Sequence, residues 1–313
     1  MRVLLLGATG TIGRATAAAL LAAQHEVVAL VRASAPRLPG GCIRVDGDVT
    51  QAGAVAGALH GVGAVISCLA SRTGAPRDAW AIDHRANSLA LAAAQAAGVP
   101  QFVLLSAICV QKPLLDFQRA KLAFEAELQA SGLTYSIVRP TAFFKSLSGQ
   151  VERVAAGKPF LVFGNGTLTA CKPISDADLA RYLVDCLTNP ALHNRILPIG
   201  GRGPAITPLE QSAMLADVLG RDVRIKRVPI GLMDTIIAVL KSLGRVSPKL
   251  AEKATLAQIG RYYATESMLV WDGASGAYNA EATPEFGADT LKAHYAALLR
   301  GDARDDLGAH KMF

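Results

Sequence analysis

Over the first half of the chain the hydrophobic positions come in short, nearly continuous runs. RVLLLG (2–7), EVVALV (26–31), IRVD (43–46), AVISCL (64–69), FVLLSA (102–107) and YSIVRP (135–140) have the length of strands. Between them apolar residues recur at helical spacing, near 12–23, 51–59, 79–97 and 116–131. A strand that is apolar at almost every position is buried on both faces, and the intervening helices supply the two covering layers. The pattern predicts an α/β fold with a doubly wound parallel sheet over residues 1–142.

Past Pro140 the rhythm changes. GKPFLVFGNG (157–166) reads as a short strand closing in a turn, and RILPIGG (195–201) as another strand. SDADLARYLVDCL (175–187) opens with Ser175 as N-cap and Asp178 three residues on, close to a capping box. Helical spacing continues at 207–219, 230–243, 247–263 and 288–299. These segments predict a second, smaller, mostly helical lobe made of residues 143–174 and 201–313, with the chain returning to the sheet at about 175–200. There is no internal repeat and no linker. The closing RGDARDDLGAHKMF is polar and is expected to be loosely held.

Composition narrows the class. Of the 313 residues 51% are hydrophobic and 18% charged, which suits a compact globular protein. Cys42, Cys68, Cys109, Cys171 and Cys186 form no C-x-x-C, and the His residues form no H-x-x-x-H pair. Neither an iron–sulfur cluster nor another metal site is expected. The longest apolar candidate, IGLMDTIIAVLKSL (230–243), is interrupted by Asp234 and Lys241, so no membrane span is expected. Val3–Leu6 is too short for a secretory leader. The net charge of +7 is concentrated: residues 221–261 carry nine Lys or Arg against three Asp or Glu. A basic patch beside an apolar helix suits an anionic amphiphile or an anionic membrane surface, or is a solvated helix face. No nucleic acid is expected as a partner, and the oligomeric state stays open.

The chemistry begins at GATGTIG (7–13), between the first strand and the first helix. Glycines there permit a tight turn and let backbone N–H groups approach a pyrophosphate at the helix N-terminus, as in a Rossmann-type domain. Gly7, Thr9, Gly10, Thr11, Ile12 and Gly13 are therefore candidate cofactor ligands. An acid ending the second strand would bind the adenosine ribose of NAD. The sequence LVRAS offers Arg32 instead, and Arg14 follows the glycine turn. Two guanidinium groups suit a 2′-phosphate, so the predicted cofactor is NADPH. Asp48, in DGDVT, is placed to bond the adenine amino group. Cys68, Leu69 and Ala70 end one central strand and Ser106 another, where doubly wound folds bind their ligands. Lys121 falls on the first turns of the 116–131 helix, facing the same crevice. It is the candidate catalytic residue: it can bond the nicotinamide ribose and set a positive field beside the ring.

GATGTIG, Arg32, DGDVT, WAIDHRAN, AAGVPQFVLLSA and Lys121 together resemble the atypical short-chain dehydrogenases of the NmrA-like branch. More closely, SAICVQKPLLDFQRAKLAFEAEL, TYSIVRPTAFFKSLSGQVERV, GKPFLVFGNGTLTACKPISD and IGRYYATESMLV resemble the NADPH-dependent divinyl (proto)chlorophyllide 8-vinyl reductases. The resemblance runs over nearly the whole chain and is most specific at 104–178 and 259–270. It implies reduction of the 8-vinyl group of a Mg-tetrapyrrole to ethyl, in chlorophyll or bacteriochlorophyll synthesis. It also implies a cytoplasmic chain, with peripheral contact at the photosynthetic membrane as an option. An unrelated 8-vinyl reductase type uses iron–sulfur clusters and flavin; the cysteine spacing departs from that type.

One residue departs from the common dehydrogenase pattern. Where those enzymes carry Tyr-x-x-x-Lys, this chain has Phe117 four residues before Lys121. A phenyl ring moves no proton, but a vinyl group has no oxygen to protonate. A proton must still reach carbon, and water, Lys121, Lys112 and Asp116 are the candidate sources. Phe117, Phe143, Phe144, Met233 and Ile237 are candidates for packing against a flat substrate. The 230–243 helix offers Ile230, Met233, Ile237, Leu240 and Ile236 at helical spacing. Arg224, Lys226 and Arg227 precede it, and Arg245, Lys249 and Lys253 follow. This segment is expected to form one wall of a tetrapyrrole pocket, or else to rest on a membrane. Two other readings compete: a reductase of another conjugated C=C bond or a quinone, and a non-catalytic NADP(H) sensor or assembly factor.

Overall fold

A computed structural model of the chain describes residues 1–36 and 38–303. Most of the polar tail read at 300–313 lies outside the described residues. The chain forms two compact units. The first comprises Met1–Arg72, Pro76–Pro140 and Asp176–Pro198; the second comprises Thr73–Ala75, Thr141–Ser175 and the chain from Ile199 onward.

In the first unit β1 (Arg2–Leu6), β2 (Glu26–Val31), β3 (Ile43–Asp46), β4 (Ala64–Ser67), β5 (Gln101–Leu105) and β6 (Thr134–Pro140) lie in the order β3-β2-β1-β4-β5-β6. Every pair is parallel, with Leu6 opposite both Leu30 and Ser67, and Leu105 opposite Val138. This is the doubly wound order, whose direction reverses between β1 and β4. The apolar runs are explained by position. β4 and β5 are buried at every residue, whereas β3, toward the edge, is mostly exposed. Phe102 of β5 stacks on Phe124 with ring centroids 5.8 Å apart, inside a core that includes Leu4, Val65 and Ile137. Helix Asp176–Asp185 packs on helix Thr11–Ala22, which brings the later segment back to this unit.

The helix expected near 79–97 spans Pro76–Ala96 with a wide turn inside it. Pro76–Ala79 and Asn87–Ala96 are α-helical, and Trp80–Ala86 between them is π-helical. Such wide turns are rare and concentrate at functional sites.

The second unit carries helices Pro208–Leu219, Ile230–Gly244, Pro248–Thr265 and Leu291–Arg300. Tyr295 is fully buried and donates its hydroxyl to Leu147 O at 2.9 Å. Thr207 and Glu210 form the capping box that starts the first of these helices. Ser175, read as a helix cap, donates its hydroxyl to Asp289 Oδ2 at 2.6 Å. The basic stretch before helix Ile230–Gly244 is itself a strand, Ile225–Val228, paired in parallel with Phe160–Phe163. It carries no alternating apolar period, because Ile225, Lys226 and Arg227 are all exposed in succession.

Candidate active site

The glycine turn is built as its spacing requires. Gly7 has a φ of +78°, and a Cβ there would lie 2.6 Å from Cys68 O. At Gly13 a Cβ would lie 2.1 Å from Gly7 O, so only glycine lets helix Thr11–Ala22 close on the turn. Gly10 is the N-cap, no side chain caps it, and the first turn holds no acid. This end of the helix suits an anion, and the residues present fit the pyrophosphate of a dinucleotide.

At the far end of β2 Arg44 holds the loop that carries Arg32, while Arg14 stays at the glycine turn. Arg32 is exposed. Arg14 Nε donates to Thr9 O at 3.1 Å, across the glycine turn. Arg44, which sequence reasoning passed over, donates to Arg32 O and Ala33 O at 3.0 Å each and to Asp46 Oδ1 at 2.8 Å. It fixes the loop that carries Arg32. Asp48 accepts from the Thr50 N–H and hydroxyl at 2.9 and 2.7 Å. The Thr50 N–H, then its hydroxyl, hold the Asp48 carboxyl below the usual range, and the nearby Arg32 charge adds a smaller pull. Arg32 and Asp48 are thus neighbours.

The end of β4 is clamped from the wide helical turn. Ser67 Oγ donates to Asn87 Oδ1 at 2.6 Å, and the Ser71 N–H reaches Asp83 Oδ2 at 3.3 Å. Asp83 and Asn87 are four residues apart and share a face, so Cys68, Leu69 and Ala70 are held between two anchors. Cys68 turns its thiol inward, 3.8 Å from Thr16 Oγ1, and burial pushes that thiol up to about 12. The Lys121 charge acts on the same thiol, which puts Lys121 beside the end of β4.

Lys121 has a partner that the sequence reading missed. Its Nζ lies 2.9 Å from Asp83 Oδ1; the Lys121 side chain is 10% exposed and that of Asp83 1%. The carboxylate offsets much of the positive field expected from Lys121. What the lysine keeps is direction: an ammonium has more donors than this one contact uses. The only trace of Asp83 in the sequence was WAIDHRAN, quoted for its resemblance. The same segment grips Lys121's helix from another side. His84 Nε2 and Glu127 Oε1 are 2.7 Å apart, and Ser88 Oγ donates to Glu127 Oε2 at 2.6 Å. Gln118 accepts from the Leu114 and Leu115 N–H groups and donates to Cys109 O, fixing where helix Asp116–Ala130 begins. Phe117 is half-buried, and four-residue spacing sets it on Lys121's face.

Ser106 directly follows β5, as expected, but its hydroxyl turns into the protein. Its hydroxyl donates to Glu125 Oε1 at 2.5 Å, and Arg139 grips the same carboxylate, with Nε 3.2 Å from both oxygens. The Ser106 hydroxyl therefore belongs to a buried polar network under the site. The other aromatic and apolar candidates lie in the second unit. Phe144 is 4% exposed with its ring 5.4 Å from His294, and Ile237 is 7% exposed, so both serve its core. Phe143 and Met233 are half-buried. Lys112 and Asp116 are also half-buried, just before Lys121's helix and at its first residue. Among the described residues no cluster of His, Cys, Asp or Glu could hold a metal ion.

The doubly wound sheet and its glycine turn are those of a nicotinamide-dependent oxidoreductase. The NAD(P)H-binding family pattern matches residues 7–190. The chain belongs to the divinyl chlorophyllide a 8-vinyl-reductase family. It is 50% identical over 334 residues to "Divinyl chlorophyllide a 8-vinyl-reductase, chloroplastic" of Oryza sativa subsp. indica, covering 99% of this chain and 82% of that protein. It is 27% identical to "Photosystem II assembly factor Ycf39" of Cyanophora paradoxa, over 75% of this chain and 74% of that one. Among solved structures, the NADPH-dependent quinone oxidoreductase QOR2 of Escherichia coli superposes with a TM-score of 0.65 at 19% identity, covering 95% of this chain and 99% of that chain. At that identity the likeness speaks for the fold.

Proposed function

We infer that this chain reduces the 8-vinyl group of divinyl chlorophyllide a, or of its protochlorophyllide counterpart, to ethyl, with NADPH as reductant. The observation that carries the reading is the buried Lys121–Asp83 pair with Phe117, not Tyr, on the lysine's helix face. A carbonyl reductase needs a phenol to protonate the oxygen that receives charge. A vinyl group conjugated to a macrocycle needs a proton on carbon only.

When bound, the cofactor supplies a hydride equivalent. The chain's own residues then have three tasks. Gly7, Thr9, Gly10, Thr11, Ile12, Gly13 and Arg14 would hold the pyrophosphate side. Cys68, Leu69, Ala70 and the Ser106 backbone would flank the nicotinamide, with Phe117 keeping water from its face. Lys121, held by Asp83, would bond the ribose and present an N–H toward the reacting carbon. The balance is simple: the terminal vinyl carbon takes the hydride, the electron pair spreads into the macrocycle, and the adjacent carbon takes a proton. One C=C bond becomes a single bond, and NADPH is oxidised to NADP⁺. Lys121 is the proton source this arrangement favours over Lys112 and Asp116, because its ammonium is fixed by a partner.

NADPH over NADH is supported by Arg32 in the place where a ribose-binding acid would stand, on a loop tied down by Arg44. Asp48, with Oδ1 held by Thr50, would offer its other oxygen to the adenine. Peripheral contact with an anionic membrane belongs to the same reading, since the substrate is an amphiphile. Among the described residues no helix is long and apolar enough to cross a membrane. The test is incubation of purified chain with detergent-solubilised divinyl chlorophyllide and NADPH, followed by chromatography of the pigment. Monovinyl product with equimolar NADPH oxidation is expected. Tight NADPH binding without product would instead favour a sensor or assembly role.

A further inference from the structure

Helix Ile230–Gly244 shows water a face that a core helix would hide. Leu232, Ile236, Val239 and Leu243 are 51%, 46%, 52% and 47% exposed, and Val246, just past the helix end, is 85% exposed. Their spacing of four, three, four and three sets them on one stripe, roughly 80° wide. A different stripe does the packing. Ile237 is buried, Ile230, Met233 and Leu240 are half-buried, and a Cβ on Gly244 would lie 3.0 Å from the backbone of Ala251 in helix Pro248–Thr265. The two helices form a hairpin whose outer edge is apolar and whose tip carries Val246 between the cations Arg245 and Lys249. A contiguous exposed apolar strip of this kind marks a contact surface.

Charge indicates what it contacts. From residue 235 to 251 there is no Asp or Glu, while Lys241, Arg245 and Lys249 fall within that stretch and Lys253 follows. All four are exposed, and none forms an ion pair among the described residues. Lys241 and Arg245 lie off the stripe. With Thr255 and Gln258 they line a shallow cleft of about 270 Å³ between the two helices. A second copy of the chain docking on this face would set two cationic tips against each other. An anionic bilayer offers the opposite charge together with an apolar layer.

We propose that the hairpin enters an anionic membrane surface tip first. Leu243 and Val246 reach the acyl boundary, Arg245, Lys249 and Lys253 meet lipid phosphates, and Leu232, Ile236 and Val239 rest in the headgroup layer. Because the cations sit toward the hairpin's end and cleft and not along both flanks of the stripe, the approach is oblique. The proposal deepens the preceding reading and rests on it for its purpose: an amphiphilic tetrapyrrole concentrates in the same layer that the hairpin enters.

The test is sedimentation of the full chain with phosphatidylcholine vesicles, alone or mixed with phosphatidylglycerol. Binding to the mixed vesicles only, released by high salt, is expected. Leu243→Asp with Val246→Asp is expected to weaken binding at least about tenfold while leaving turnover of detergent-solubilised pigment unchanged. Arg245→Gln with Lys249→Gln is expected to weaken binding about 25-fold, at roughly fivefold per cation. Failure of the wild type to bind mixed vesicles, equal binding to neutral vesicles, or full binding by the double Asp variant overturns the proposal. So does a wild-type dimer that Val246→Asp dissolves, which would name a second copy as the occupant. Vesicle binding without turnover in detergent would fault the substrate reading and leave the membrane contact standing.

Discussion

Lys121 Nζ and Asp83 Oδ1 face each other at 2.9 Å in a place that water scarcely reaches. One residue comes from a regular helix and the other from a wide π turn, and the Ser71 N–H shares the same carboxylate. The pair therefore ties the end of β4 to the helix that carries Lys121. Asp83→Ala leaves a buried cation without its partner, which costs about 3–5 kcal/mol. Asp83→Asn, which keeps an acceptor for Ser71, is expected to cost less stability yet lower turnover about a hundredfold. Urea unfolding and steady-state rates on the three proteins check this. Equal stability and equal rates would mean that the pair does nothing.

Lys121→Ala removes the proposed proton source and the proposed ribose contact together. Turnover is expected to fall about a hundredfold or more in a chain that still binds NADPH. Phe117→Tyr makes the complementary point. It restores the phenol of the common dehydrogenases, and turnover is expected to stay level or fall, because no oxygen awaits a proton. A large gain in rate would show that the enzyme lacks an acid.

Much of this arrangement was legible in the sequence, and the omissions have physical causes. The strands of the first unit were readable because burial on both faces makes them apolar throughout, as at β4 and β5. The glycine turn was readable because only glycine fits at Gly7 and Gly13. Asp83 was not readable: a single acid in a helix has the look of a surface residue until a buried lysine is found opposite. Glu125 and Arg139 stayed hidden for the same reason, each making sense only through the other. In helix Ile230–Gly244 the period was plain, but it contains two apolar stripes. The one through Ile237 is covered and the one through Ile236 is bare, and periodicity cannot choose between them.

Arg32→Ala tests the choice of cofactor. Loss of one charged hydrogen bond to a phosphate is worth about 1.5–3 kcal/mol, or roughly a ten- to 150-fold weaker Kd for NADPH. NADH binding is expected to change little. Equal losses for both cofactors in fluorescence titrations would remove the support for NADPH.

Gly13→Ala places a methyl group 2.1 Å from the carbonyl oxygen of Gly7, where backbone must move. Overpacking of this kind costs about 1–3 kcal/mol and here displaces the turn itself. A lower Tm and loss of NADPH binding are expected together. A variant that binds NADPH normally would show that the turn is not the cofactor's cradle.

The inward-turned thiol of Cys68 gives a chemical handle. With its thiol pushed up to about 12, the reactive thiolate is scarce at pH 8. Iodoacetamide at that pH is expected to leave Cys68 unmodified in the folded chain and to label it after unfolding, as read by peptide mass spectrometry. Rapid labelling of the folded chain would mean that the end of β4 opens.

The central claim is direct hydride transfer to a vinyl carbon with a separate proton on its neighbour. It is tested by following isotope into the ethyl group, using NADPH deuterated at both C4 positions in ordinary water, then unlabelled NADPH in D₂O. The predicted result is one deuterium in the ethyl CH₃ from the cofactor and one in the CH₂ from solvent. A CH₃ group that draws its new hydrogen from water, or a cofactor label that never reaches the pigment, would contradict it.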